Sequence, residues 1–333
     1  MMKYSETKEQ FEWVLSRMII PGGVSNAIED IHTDHESGAR QLALKALDAL
    51  KLFITVSANE EPVDWKDLVN SAWYIIQARP SMRPAIQTTI LRTLADLEPV
   101  FPHLKDCERI IDQHVQEEQH LLDALSANFV KYIHSQTKPR LHLLTLSNSS
   151  TILAALTALF TSSTCPPTLL TILESRPLLE GITLAKRLLP HKPDQVSVQV
   201  ATDASAAYFS SQADIVILGA DQVNPVTGDV KNKIGSRSVA AFARGQVVCV
   251  TSTDKIEAVD GEEEVEENDP GEVVEMWPSG HLEGANVRNV YFEWVEGERI
   301  GGYVTERDEI GKEEVKKIYD ERLKWQEIWK VLD

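Results

Sequence analysis

A carboxylate, an amide and an ammonium stand close together in residues 217–235, ILGADQVNPVTGDVKNKIG. An apolar strand-like run, 214–218, ends at Gly219, and Asp221 follows at once. A turn-rich segment with Asn224-Pro225 and Thr227-Gly228-Asp229 leads to Asn232, Lys233 and Gly235, and a helical pattern then covers 236–244. Groups just past the carboxyl end of a strand stand where open α/β sheets bind ligands. An aspartate after a strand is also ordinary turn chemistry, so the neighbouring strand ends decide what Asp221 means.

Those ends are polar too. Ser147, Asn148, Ser149 and Ser150 follow the run 141–146, Arg176 follows 166–173, and Asp203 follows 195–200. In a parallel sheet all carboxyl ends share one edge, so these groups should converge. Hydroxyls and backbone N–H groups at a helix start attract anions, and Arg176 and Lys233 supply cations suited to phosphate. The set points to a small anionic ligand, phosphorylated and hydroxyl-rich; the competing assignment is that these residues are helix caps and turn formers. No Gly-x-Gly-x-x-Gly follows a strand and there is no Gly-Lys-Ser/Thr loop, so neither dinucleotide nor P-loop chemistry is indicated. The nine histidines show no metal-ligand spacing. No cofactor and no metal is therefore expected. His114 and His120, six apart on one helical run, do not share a face and read as surface residues.

The elements that must position these groups fall into two textures. Residues 41–52, 84–97 and 106–133 carry apolar positions at helical spacing, and helices are expected from about residue 6 to 134. Turns interrupt them at 34–40 and at 78–81, where Arg79 precedes Pro80 and is biased to extended backbone. From residue 138 strand runs (141–146, 166–173, 195–200, 214–218, 246–251) alternate with helical ones such as 152–160 and 178–189. That alternation means an α/β fold: a helical N-terminal domain over 1–137, then a doubly wound parallel sheet over 138–333. The acidic run 257–275 reads as a solvated loop. Strand candidates at 289–294 and 303–305 and a charged final helix at 312–331 complete the tail.

A chain of 333 residues has room for two domains. Its net charge of −18 argues against a nucleic-acid face, which needs clustered cations. Cys107, Cys165 and Cys249 have no paired spacing, which suits a reducing compartment. No apolar run is long enough to span a bilayer, and residues 1–13 lack a signal-peptide core. A cytoplasmic protein without nucleic-acid or membrane partners is expected.

At Gly219-Ala220-Asp221, at Asn232-Lys233-Ile234-Gly235 and at Glu174-Ser175-Arg176-Pro177 with Gly181, the chain resembles a known family. It contains ribose-1,5-bisphosphate isomerases, methylthioribose-1-phosphate isomerases and the alpha, beta and delta subunits of translation initiation factor 2B. Ser37-Gly38-Ala39 and Ala78-Arg79-Pro80-Ser81 match weaker motifs, and the resemblance runs from about residue 30 to 305. It implies a Rossmann-like C-terminal domain and a homodimer or higher homo-oligomer. It also implies Asp221 and Ser147 at the catalytic positions, with Ser37, Gly38, Ala39, Arg79, Asn148, Ser149, Arg176, Asp203, Asn232 and Lys233 as binding groups. Two positions depart from the isomerase pattern. Leu146-Ser147 stands where the isomerases have His-Cys, so the catalytic thiol is absent, and Ser37 stands where they have a phosphate-binding arginine. Two functions follow from the resemblance. One is an isomerase-like enzyme on a phosphorylated sugar, using Asp221. The other is a non-catalytic protein that senses a sugar phosphate or nucleotide among initiation-factor subunits.

Overall fold

Helical periodicity in the first third of the chain and strand–helix alternation in the rest become two compact units in the computed structural model. It describes residues 22–34, 37–60, 64–79, 82–258, 267–275, 277 and 284–332. One unit ends at Gln119 and takes in the chain again from Arg322; the other is His120–Glu321. The helix expected before residue 22, the residues Pro80 and Ser81, and positions 259–266 of the acidic run lie outside the described residues.

The first unit is helical: α1 (Gly22–Thr33), α2 (Ala39–Glu60), α3 (Trp65–Gln77), α4 (Arg83–Leu97) and the first half of α5 (Leu104–His134). Leu42, Leu47, Leu50 and Ile54 recur at helical spacing along α2 and are fully buried, each worth about 1.5–3 kcal/mol of transfer free energy. Asp64 caps α3 by accepting the Lys66 N–H at 3.3 Å. Pro84 sits in the first turn of α4, where its lack of an N–H costs nothing. The α-helix expected over 312–331 stops at Arg322, and Leu323–Leu332 continues as 3-10 turns. Ile328 enters the first unit's core there, and Trp325 and Trp329 pack against it.

His114 corrects the surface reading, because it is buried. Its Nε2 lies 2.9 Å from Asp96 Oδ2. Burial first, then Arg92, holds the imidazole below its usual range, so a neutral ring with one polar partner is tolerated inside.

The second unit carries seven strands in one sheet: β1 (Leu141–Thr145), β2 (Thr168–Leu173), β3 (Val196–Ala201), β4 (Ile215–Leu218), β7 (Gln246–Val250), β9 (Gly302–Val304) and β10 (Glu309–Ile310). Their order is β10-β9-β7-β4-β1-β2-β3, parallel except at β10. The chain steps outward from β1 to β2 and β3, then returns to place β4 on the other side of β1. The carboxyl ends of β1 and β4 therefore border the crevice where strand order reverses, the usual ligand edge of such sheets. Helices α6 (Ser150–Thr161), α7 (Glu180–Leu188), α8 (Ala206–Ser210) and α9 (Ser236–Phe242) lie between the strands in sequence. The fold is thus a helical N-terminal region followed by a Rossmann-like doubly wound sheet.

The turn-rich segment 224–229 lies between two short strands that the sequence does not show. Gln222–Val223 (β5) and Val230–Lys233 (β6) pair antiparallel, and β8 (Phe292–Val295) completes a second, three-stranded sheet. Only 224–229 is the turn. Asn224 Oδ1 accepts the N–H groups of Val226 and Thr227 at 2.8 and 3.1 Å, and Gly228 takes a left-handed φ of 74°. Two and four residues are too few to show strand alternation in sequence.

Candidate functional site

Strand β1 delivers its chemistry within four residues. Ser149 caps α6, its Oγ accepting the Ile152 N–H at 3.4 Å. Ser147 adopts a left-handed φ of 65°, uncommon for a residue with a side chain. Its N–H donates to Ser175 Oγ at 2.7 Å. Asn148 Oδ1 is buried and meets no donor among the described residues, which suits a hydroxyl brought by a ligand.

The loop after β2 is braced against this one. Ser175 is also left-handed, at φ 60°. The N–H groups of Ser175 and Arg176 donate to the two oxygens of Asp203 at 2.9 and 2.7 Å. Asp203 thus holds the shape of the loop that presents Arg176. Gly181 returns the chain so closely over β2 that a Cβ there would lie 1.8 Å from the Leu173 carbonyl oxygen. Strained serines at two adjacent strand ends are the kind of backbone that concentrates at functional sites.

Asp221 follows β4, its N–H held by the Lys231 carbonyl at 2.8 Å. The residue is only partly covered, yet burial is the main influence on its carboxyl and pushes the pKa up, with Glu180 adding to the rise while Lys255, Lys233 and Lys231 oppose it. Lys233 is buried on β6 with its Nζ 4.2 Å from the Tyr291 ring centroid and 3.0 Å from Glu180 Oε2. The same Glu180 oxygen accepts the Ser147 hydroxyl at 3.1 Å. Asn232 donates to Ser236 Oγ at 2.8 Å and fixes the start of α9. Lys255, also buried, donates to the Ala220 carbonyl.

Ser147, Asp221 and Lys233 thus gather around one carboxylate, Glu180, with Asn148 and Ser149 on the Ser147 loop. Asp203 and Asn232 act on their own loops. Ser37, Gly38, Ala39 and Arg79 belong to the first unit. There the Ser37 N–H donates to Asp34 Oδ1 at 2.8 Å, the Gly38 N–H to Gln41 Oε1 at 3.1 Å, and Ala39 opens α2. Glu180 and Lys255 escaped the sequence reading. An acid in the first turn of a helix is ordinary dipole compensation, and no spacing rule ties it to Ser147, 33 residues earlier. Among the described residues no three His, Cys, Asp or Glu side chains converge as a metal-binding group.

A doubly wound sheet with cations, hydroxyls and a carboxyl at its switch point places the chain in the Rossmann-like class of α/β proteins. Within it, residues 35–310 match the Initiation factor 2 subunit family, and the chain belongs to that family. Methylthioribose-1-phosphate isomerase of Pelotomaculum thermopropionicum is 36% identical over 163 residues, covering 45% of this chain and 42% of that protein. The chain thus spans about two fifths of the length of that relative. Ribose 1,5-bisphosphate isomerase of Methanocaldococcus jannaschii is 25% identical over 292 residues, covering 85% of this chain and 90% of that protein. The tetrameric eIF2B-beta2-delta2 complex from C. thermophilum contains a chain that superposes with a TM-score of 0.65 at 15% identity, covering 95% of this chain and 99% of that one. At that identity the likeness is one of fold. No described helix is long and apolar enough to cross a membrane.

Proposed function

We propose that this protein binds a phosphorylated pentose at the carboxyl edge of its sheet and interconverts the aldose and ketose forms, as a ribose 1,5-bisphosphate isomerase does. One observation carries this: Asp221, a carboxyl whose pKa burial raises, stands at the switch point beside buried cations. Converting a cyclic aldose 1-phosphate to its open ketose breaks the C1–O4 bond, moves the C2 hydrogen to C1, and moves a proton from the C2 hydroxyl to O4. A carboxyl whose pKa lies nearer neutrality can both give and take such protons. Arg176 and Lys233 supply charge for phosphate, and Asn148 and Ser149 hydrogen bonds for sugar hydroxyls. Ser37, Gly38, Ala39 and Arg79 are proposed as further binding groups on the family motifs alone.

A second reading is a non-catalytic, ligand-sensing subunit of an initiation-factor-2B-type assembly, and the absence of a thiol at Ser147 favours it. Neither reading survives without a ligand. Ribose 1,5-bisphosphate at millimolar concentration should raise the melting temperature, because a native-state ligand at 100 times its Kd stabilises by about 2.7 kcal/mol. Lys233→Ala and Arg176→Ala should shrink that rise, and Glu313→Ala, on an exposed helix face, should leave it intact. A transition that no sugar phosphate or nucleotide moves rules out the pocket.

We also propose self-association. Tyr208 and Phe242 are exposed at 64% and 57% on α8 and α9, the kind of apolar surface that interfaces cover. Light scattering at micromolar concentration should return a multiple of 37.3 kDa; the mass of one chain would refute it.

A further inference from the structure

If the site isomerises sugars, one of its catalytic positions carries a hydroxyl, and a hydroxyl ionises far less readily than a thiol. Nor has a thiol taken up that task elsewhere. Cys107, Cys165 and Cys249 are all buried, and burial raises the pKa of each. Burial pushes Cys249, which lies close to Asp221, up to about 12, and its thiol donates to the Gly219 carbonyl at 3.9 Å.

The structure places a carboxylate where Ser147 needs one. Glu180 Oε2 accepts the Ser147 hydroxyl at 3.1 Å while Lys233 Nζ approaches the same oxygen at 3.0 Å. Glu180 is not held there by chance of rotamer alone. It opens α7 directly after Leu179, a left-handed residue at φ 54°, and before Gly181, whose lack of a Cβ lets the helix close onto β2. The backbone that aims Glu180 at Ser147 is therefore built into the turn, and Lys233, itself buried on β6, pairs with the same carboxylate oxygen.

We propose that Glu180 is the proton-exchanging partner of Ser147, acting through it on the bound sugar; this rests on the isomerase reading above. A hydroxyl of the sugar gives its proton to Ser147 Oγ as the Ser147 hydroxyl proton passes to Glu180 Oε2. One O–H bond breaks and one forms at each transfer. The negative charge leaves Glu180 and arrives on the sugar O2, whose electron pair becomes the second C2–O bond as the C2 hydrogen moves with its electron pair to C1 and the C1–O4 bond breaks onto O4, which takes the proton of the Asp221 carboxyl. The Glu180 acid then gives its proton to water and Asp221 regains one from water, so that the net change is the transfer of the C2 hydroxyl proton to O4. Ser147 is neither base nor acid by itself in this scheme; it is the link whose orientation Glu180 sets, and Glu180 is a positioning residue that also accepts the proton.

Glu180→Gln separates these roles. Glutamine keeps the size and an oxygen that accepts from Ser147 but takes no proton. Turnover of ribose 1,5-bisphosphate and of 5-methylthioribose 1-phosphate would be followed by NMR of the sugar carbons. We expect kcat to fall about thirtyfold, below the roughly 10²-fold typical of a directly acting group, with KM changed less than about twofold. Ser147→Ala should cost as much. The double variant should be no worse than the worse single one, as for groups that act as a unit. A wild-type kcat in Glu180→Gln overturns the relay, as does full additivity in the double variant. A lower KM at unchanged kcat also overturns it, and makes Glu180 a counter-charge that keeps Lys233 from phosphate. If Glu180→Gln does not fold, Ser147→Ala carries the test, and its retention of activity overturns the relay equally. A wild type that turns over neither sugar overturns the isomerase reading itself and the relay with it, an outcome distinct from an active wild type with an active Glu180→Gln.

Discussion

Asp221→Asn should lower the proposed sugar isomerisation by about 10³- to 10⁴-fold, towards the upper end for a single acid–base group, and at the same time raise the melting temperature at neutral pH. The two effects have one cause. Burial first, with Glu180 adding, lifts the Asp221 carboxyl above its usual range, and Lys255, Lys233 and Lys231 offset only part of that. Between the ordinary carboxyl value of about 3.9 and the raised native value, the folded protein binds more protons than the unfolded chain. Stability from this group therefore falls as pH rises through that window, and the full cost persists above it. Asparagine never ionises and does not carry that cost. The melting temperature of Asp221→Asn should exceed that of wild type at pH 7, and the difference should shrink as pH falls towards 3.9. Calorimetry across pH reads the stability, and NMR of sugar carbons reads turnover. Unchanged turnover would remove Asp221 from the chemistry. A lower melting temperature at pH 7 would mean that the three lysines need the carboxylate more than burial penalises it.

The sheet was legible because its strands are long apolar runs punctuated by helices. The runs 141–146, 166–173, 214–218 and 246–251 differ from the observed strands by at most two residues at either end. Asp221, Ser147 and Arg176 were found by one rule, that polar groups after parallel strands share an edge. That rule says nothing of residues that reach the edge from a helix start, which is why Glu180 was passed over although it touches both Ser147 and Lys233. Nor does it show the strand that carries Asn232 and Lys233, since β6 is a four-residue strand whose partner β8 lies some 60 residues on. Asp203 joins the expected binding groups by its position after a strand, and in the structure both its oxygens accept backbone N–H groups; a carboxylate at a strand end brackets loops as readily as ligands. His114 shows the same limit in the helical unit, where a buried ring and its partner Asp96 come from different helices.

Ser147→Cys should raise kcat by on the order of 10² while changing KM little, because the two side chains are nearly the same size. A free thiol ionises near pH 8.5, so a cysteine can exchange protons where a serine needs Glu180 to do it. The environment pulls the thiol both ways. The Glu180 carboxylate that accepts from Ser147 would disfavour a thiolate, and Lys233, at 3.0 Å from that carboxylate, would favour it. The variant should therefore depend less on Glu180 than wild type does. Adding Glu180→Gln to Ser147→Cys should cost under about threefold in kcat, against the roughly thirtyfold expected in the serine protein. Ser37→Arg belongs in the same series as a test of the phosphate-binding role proposed for that motif; it should lower KM without altering the response to Ser147→Cys. Activity that is absent from wild type and appears in Ser147→Cys would assign the natural protein to ligand sensing on an isomerase frame. Ligand binding with no turnover in either protein, measured as a thermal shift beside the NMR assay, would end the isomerase reading. Turnover in wild type that Ser147→Cys lowers would show that the serine–carboxylate pair is tuned as it stands, with the thiol a poorer link to Glu180 than the hydroxyl.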